Sequence, residues 1–157
     1  MSFVSRKGNF MSTSHVQIVM ASHCNGIHRL FGGQLLSWID VVAAVEAKRH
    51  AKSGVTLKMV DNLTFLSPVF MDETVCLEAA VTWSGRTSME IMVNTFVEKI
   101  DGSRNLVNKA YLVFVAIDDD GNPVPVRPFV PTTTEQEAEM LAAAGRRRIR
   151  LGSSTGA

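Results

Sequence analysis

Apolar and polar positions change rhythm along this chain, and each change marks an element. Residues 13–21 (Thr-Ser-His-Val-Gln-Ile-Val-Met-Ala) alternate, which predicts a first strand with Val16, Ile18 and Met20 on one face. Residues 22–30 are polar and read as a loop. From Phe31 to His50 the spacing is helical, with Gly32 and Gly33 at its start. Leu35, Leu36, Trp38, Ile39, Val41, Val42, Ala43, Ala44 and Val45 cover nearly all directions, which predicts a helix buried on most sides. Polarity returns at Glu46, Lys48, Arg49 and His50, so its far end is expected to reach water. At ~1.5 Å per residue the helix is about 30 Å long.

After Ser53-Gly54 the rhythm shortens. Val55 to Leu66 reads as a strand ended by Ser67-Pro68, and Glu73 to Trp83 as the next. Ser84-Gly85 makes a turn into Arg86–Lys99, where Met89, Ile91, Val93 and Thr95 alternate with Ser88, Glu90, Met92 and Asn94. Asp101-Gly102 is a second hairpin signal, followed by Asn105 to Ile117. The stretch 122–131 holds four of the five prolines and must be extended. A short amphipathic helix, about Thr134 to Arg148, precedes a Gly/Ser end. Strand, long helix, then four strands with short turns is not the alternation of a parallel α/β sheet. It predicts an α+β fold, an antiparallel sheet wrapped around one long central helix. The expected organisation is a loose N-terminus over 1–12, the main domain over 13–131, and a C-terminal helix with a flexible tail over 132–157.

Composition narrows the function classes. At 157 residues, 46% hydrophobic and 20% charged, the chain has the make-up of an ordinary globular domain. A net charge of +1 gives no global steering toward nucleic acid or a membrane. No apolar run is long enough to span a bilayer. Two cysteines, Cys24 and Cys76, do not make a disulfide framework, and a reducing, cytoplasmic setting is the expectation. The first eleven residues carry Arg6 and Lys7 but no continuous apolar segment, so no secretory signal is read there. No His, Cys, Asp or Glu spacing suggests a metal site.

The candidate chemistry sits at the start of the helix. Asp40 is a carboxylate inside an apolar run, costly unless paired, hydrated or used. Asn25 and Gly32-Gly33 are its company. A general base can activate water, and a helix N-terminus supplies unpaired N–H groups for a developing oxyanion. Asn25 carries no charge, so it can orient water or a carbonyl but not take the proton. His23-Cys24 tempts a thiol mechanism, but adjacent side chains diverge where a Cys–His pair must meet. Arg146-Arg-Arg-Ile-Arg150 reads as the basic last turn of a helix, or as a surface for coenzyme phosphates, rather than a nucleic-acid patch.

Four segments in register resemble one family. Asn25…Leu30-Phe-Gly-Gly33…Trp38-Ile-Asp40, Val60-Asp-Asn-Leu-Thr-Phe65-Leu-Ser-Pro68, Gly85-Arg-Thr-Ser88 and Asn108-Lys-Ala resemble the hotdog-fold acyl-CoA thioesterases, in the acyl-CoA hydrolase branch. The resemblance implies hydrolysis of an acyl-CoA thioester to free acid and coenzyme A, with coenzyme A as part of the substrate and no separate cofactor. It implies that Asp40 is the catalytic carboxylate, as base or as nucleophile, and Asn25 the active-site asparagine. A backbone amide at Gly32-Gly33 polarises the carbonyl, and Thr64, Arg86, Thr87 and Ser88 line the substrate. It further implies a homo-oligomer: a dimer whose sites take Asp40 and Asn25 from different subunits, and a trimer of dimers as the larger assembly. His28 departs from the pattern, since many relatives have glycine there. Two rivals remain: a non-catalytic coenzyme A or acyl-group binding module on the same fold, and a dehydratase, which would need a histidine base that the helix lacks before His50.

Overall fold

The computed structural model describes residues 13–153, so the expected loose N-terminal segment and the last four residues lie outside the described residues. Five strands form one antiparallel sheet in the order β1-β3-β4-β5-β2. They are β1 (Thr13–Ile18), β2 (Gly54–Phe65), β3 (Thr74–Ser84), β4 (Ser88–Glu98) and β5 (Arg104–Ile117). Helix α1 (Gly32–Ala51) lies across one face and touches every strand, and α2 (Thr134–Ser153) packs on the other. This is the antiparallel sheet around one long helix that the rhythm of the sequence predicts, and the hotdog fold that the resemblance implies. The first strand is shorter than expected, because a 3-10 turn at Ala21–His23 redirects the chain.

The core lies between α1 and the sheet. Leu35, Ile39, Val42, Ala43 and Ala47 meet Val75, Leu77, Met89, Ile91, Val93, Leu112 and Phe114. The alternation within β4 puts Met89, Ile91 and Val93 on this side, as predicted. Its opposite face is not left to solvent, because Glu90 and Met92 are also buried.

Helix α1 departs from the expected all-round burial. Gly33, Ser37, Val41 and Val45, four apart, form an exposed ridge, with Val41 58% and Val45 37% exposed. Four-residue spacing keeps such a ridge on one side, so the sheet cannot cover it. Glu46 also differs from expectation: it is buried, and Thr13 Oγ1 donates a hydrogen bond to its carboxylate. The wet end therefore starts at Lys48, and Lys52 closes the helix in the left-handed conformation.

The strap after β5 fixes the far end. Val126 N–H donates to the Arg86 carbonyl, Phe129 N–H to Ser84 Oγ, and His50 Nε2 lies 2.9 Å from the Arg127 carbonyl. Helix α2 runs past Arg148 to Ser153. No helix among the described residues is long and apolar enough to cross a membrane.

Candidate functional site

Helix α1 begins without a side-chain cap. Its N-cap is Phe31, which has no oxygen to offer, and the first N–H groups to find partners are those of Gln34 and Leu35, both on the Phe31 carbonyl. The amides of Gly32 and Gly33 make no hydrogen bond among the described residues. A cap of Ser, Thr, Asp or Asn would have taken one of them. Two aligned N–H donors at the positive end of a 20-residue helix are thus left open. The Phe31 ring lies against Gly33, where an added Cβ would stand 2.7 Å from it.

The loop before the helix is held by Asn25. Its Oδ1 accepts from Ile27 N–H at 3.1 Å and Arg29 N–H at 3.2 Å, and its backbone N–H donates to the Arg29 carbonyl. Its side-chain NH2 has no partner among the described residues. The turn forces His28 to φ 59°, the conformation a glycine adopts freely, so position 28 demands a backbone shape rather than an imidazole. Leu30 N–H then bonds the Val69 carbonyl at 2.7 Å and Met71 N–H the His28 carbonyl, stitching the loop to the segment after β2.

Between that loop, the head of α1 and the ends of β2 and β5 lies a cavity of about 120 Å3. Asn25 and Arg29 stand at it, and Leu30, Leu35, Phe65, Val69 and Val107 supply apolar walls. Val107 faces inward because β5 carries an extra residue opposite the Thr95–Phe96 step, and such a bulge re-aims a side chain. Thr64 is exposed on the neighbouring strand; its carbonyl accepts from Asn108 Nδ2, and its hydroxyl donates to Asn62 Oδ1.

Asp40 is not among the residues lining this cavity. It sits eight residues into α1, about 12 Å along the axis from Gly32. Half-buried beside the exposed ridge, its carboxylate has no hydrogen bond or ion pair among the described residues. Arg86, Thr87 and Ser88 are farther still. Ser88 pairs with Val115 and Phe65 with Asn108, seven positions apart on β5, or roughly 23 Å along the strand. Ser88 instead lines a cavity of about 130 Å3 with Lys58, Met59, Trp83 and Arg147, beside α2. Asn25 lines the cavity under the head of α1 and Gly32 adjoins its Phe65 wall, whereas Asp40, Arg86, Thr87 and Ser88 do not line it.

Sequence reasoning missed the chemistry of the outer face. Arg146 and Arg150 are not free for phosphates. Both bond Glu90, which is fully buried, and Arg150 also bonds Asp61 and Arg146 also Glu139. Thr82 Oγ1 donates to the same Glu90 carboxylate, Tyr111 OH donates to Glu139, and the Arg146 guanidinium stacks 3.7 Å from the Tyr111 ring centroid. Burial alone would raise the Glu90 carboxyl, but its hydrogen bonds from Arg146, Thr82 and Arg150 hold it below its ordinary value. A glutamate amid apolar residues in β4 is the signal, but strand alternation places it only on the face opposite Met89 and Ile91 and does not reveal a second covering layer. No cluster among the described residues could hold a metal ion.

A model of the thioesterase superfamily matches residues 28–102. The Bacillus subtilis protein YkhA, described as an uncharacterized acyl-CoA thioester hydrolase, is 42% identical over 113 residues, covering 71% of this chain and 66% of its own length. The chain spans only 23% of mouse acyl-coenzyme A thioesterase 11, to which it is 30% identical. Among solved structures, a hexameric acyl-CoA thioesterase in its apo form superposes with a TM-score of 0.88 at 32% identity, over 92% of this chain and 94% of its own. The Staphylococcus aureus acyl-CoA hydrolase, solved with butyryl coenzyme A and coenzyme A, superposes with a TM-score of 0.87 at 29% identity, over 90% of this chain and 87% of its own. Variants of that hydrolase with an aspartate or an asparagine replaced by alanine have been solved and superpose equally well.

Proposed function

This chain belongs to the hotdog-fold acyl-CoA thioesterases, in the acyl-CoA hydrolase branch, and we propose that it hydrolyses an acyl-CoA thioester to a free carboxylic acid and coenzyme A. The observation that carries the reading is the pair of open amides on Gly32 and Gly33 at the head of α1, where Gly32 adjoins Phe65, a wall of the apolar cavity that Asn25 also lines. A thioester carbonyl bound there would have its developing oxyanion met by donors already in place, an arrangement worth ~3–4 kcal/mol in related chemistry. Asp40 takes a proton from water as the oxygen attacks the carbonyl carbon. The tetrahedral intermediate collapses, the carbon–sulfur bond breaks, and the proton passes to the departing thiolate. Asn25 orients the water or the carbonyl. Direct attack by Asp40, giving an anhydride that water then opens, uses the same residues.

The site is completed by a second copy. Asp40 and Asn25 do not share a cavity in one chain, and the surfaces that would meet a partner are uncovered. β2 is a twelve-residue edge strand with Leu57, Met59 and Phe65 exposed, and α1 carries its ridge of Val41 and Val45. An antiparallel edge of that length is a natural seam for a two-fold dimer. The S. aureus relative also supports the pairing of residues: its replaced asparagine and aspartate are fifteen positions apart, the separation of Asn25 and Asp40. In this reading Thr64 and the Arg86–Ser88 hairpin lie along the coenzyme, and the hexamer of the solved relative is a trimer of such dimers here. Both cysteines are free, which supports a reducing, cytoplasmic setting.

His23 Nδ1 accepts from Met20 N–H, and His50 is tied to the strap, which argues against a histidine-based dehydratase. The test is release of free thiol from acyl-CoA. Wild type is expected to turn over and Asp40→Ala to lose ~10²–10⁴ in kcat while keeping its fold. Binding of acyl-CoA without thiol release would instead favour the non-catalytic module.

A further inference from the structure

We propose that the cavity beneath the head of α1 receives the acyl chain and admits only a short one, with Phe65 setting the limit; this rests on the hydrolase reading above. A carbonyl held by the Gly32 and Gly33 amides must send its alkyl chain somewhere. The apolar space bordered by Leu30, Leu35, Phe65, Val69 and Val107 opens beside them, and Phe65 connects the two: its ring tip lies 3.7 Å from where a Gly32 Cβ would stand.

Size sets the length. A dry cavity of ~150 Å3 with such walls holds benzene, so the ~120 Å3 here holds a chain of about four or five carbons. Most walls cannot retreat. Leu35, Val69 and Val107 belong to the close-packed core, Leu66 N–H is bonded to the Val107 carbonyl, and Leu30 N–H to that of Val69. Phe65 is different. In the single chain its side chain is half exposed, on the edge strand that meets the partner, while the backbone beside it is anchored by Asn108 on the Thr64 carbonyl. Shortening this ring enlarges the pocket without disturbing the core, and light scattering of the variant checks that the dimer is kept.

The experiment has two arms. Thiol release is measured with acetyl-, butyryl-, hexanoyl-, octanoyl- and dodecanoyl-CoA. Wild-type kcat/KM is expected to peak at butyryl or hexanoyl and to fall at least about tenfold by octanoyl, the usual scale for methylenes an apolar pocket refuses. Phe65→Ala moves the peak toward longer chains and Phe65→Trp toward acetyl. A profile flat to dodecanoyl, or a peak unmoved by both substitutions, overturns the proposal. In the second arm, calorimetry follows binding of S-alkyl-CoA thioethers, which cannot be hydrolysed. Length-selective binding that shifts in Phe65→Ala, with no thiol release, leaves the pocket standing and removes the hydrolase reading. Thioether affinity independent of alkyl length removes the pocket, whatever the assay shows.

Discussion

Asn25 carries two tasks on one side chain. Its oxygen clips the loop through Ile27 and Arg29, and its NH2 points to no partner among the described residues. Aspartate keeps the acceptor and removes the donor. Asn25→Asp is therefore expected to melt close to wild type but to lose ~10²–10³ in kcat, the scale of a missing oxyanion or water donor. Asn25→Ala should lose the same activity and about 1 kcal/mol of stability besides, a few degrees by calorimetry. An Asn25→Asp protein with wild-type kcat would reduce Asn25 to a loop clip. At this scale the sequence was partly legible. The glycine pair and Asn25 were visible because a polar loop ending in Gly-Gly before an apolar helix has few explanations. Asp40 was singled out as the acid most in need of explanation, yet it is Glu46 that sits dry on α1. Hydropathy ranked the two by their neighbours in sequence; burial follows the helix face, and Glu46 is turned to Thr13 on β1.

Among the elements, strands and α1 were legible because periods of 2 and 3.6 are local properties. The role of α2 was not, because four arginines on a polar helix look the same whether they face water or a buried carboxylate. The Glu90 network is what seats α2. Removing the charge leaves Arg146 and Arg150 short of an anion in a dry site, which costs about 3–5 kcal/mol. Glu90→Gln is therefore expected to be much less stable in urea titrations, with α2 the first segment to lose hydrogen-exchange protection. The sign with pH follows from the depressed carboxyl. Its contribution is fully present above the ordinary value of 4.5 and is lost as pH falls through the lower folded value. Wild-type melting temperature should thus drop in that acid range, and Glu90→Gln should show a shallower drop. Parallel curves for the two proteins would mean that other carboxylates govern acid unfolding.

For the whole molecule, the arrangement of the parts matters more than any one of them. A single chain places Asn25 at the cavity under the head of α1 and leaves Asp40 outside it, beside an exposed apolar ridge, with the edge strand β2 also exposed. Sequence proximity concealed this, because residues fifteen apart across a helix start look like one motif; only the family resemblance separated them into different subunits. If each active site takes Asn25 from one copy and Asp40 from its two-fold mate, Asn25→Ala and Asp40→Ala are complementary. In a mixed dimer one site is doubly defective and the other is wholly wild type. Equal amounts of the two inactive proteins, dissociated and reassembled at random, form mixed dimers half the time, so about a quarter of wild-type activity should return. Light scattering should first show a particle of at least twice the 17.2 kDa chain, and differently tagged copies should verify exchange. Verified exchange with no recovered activity would place Asp40 and Asn25 in the same subunit's site, and would require α1 or its entry loop to move until the two meet.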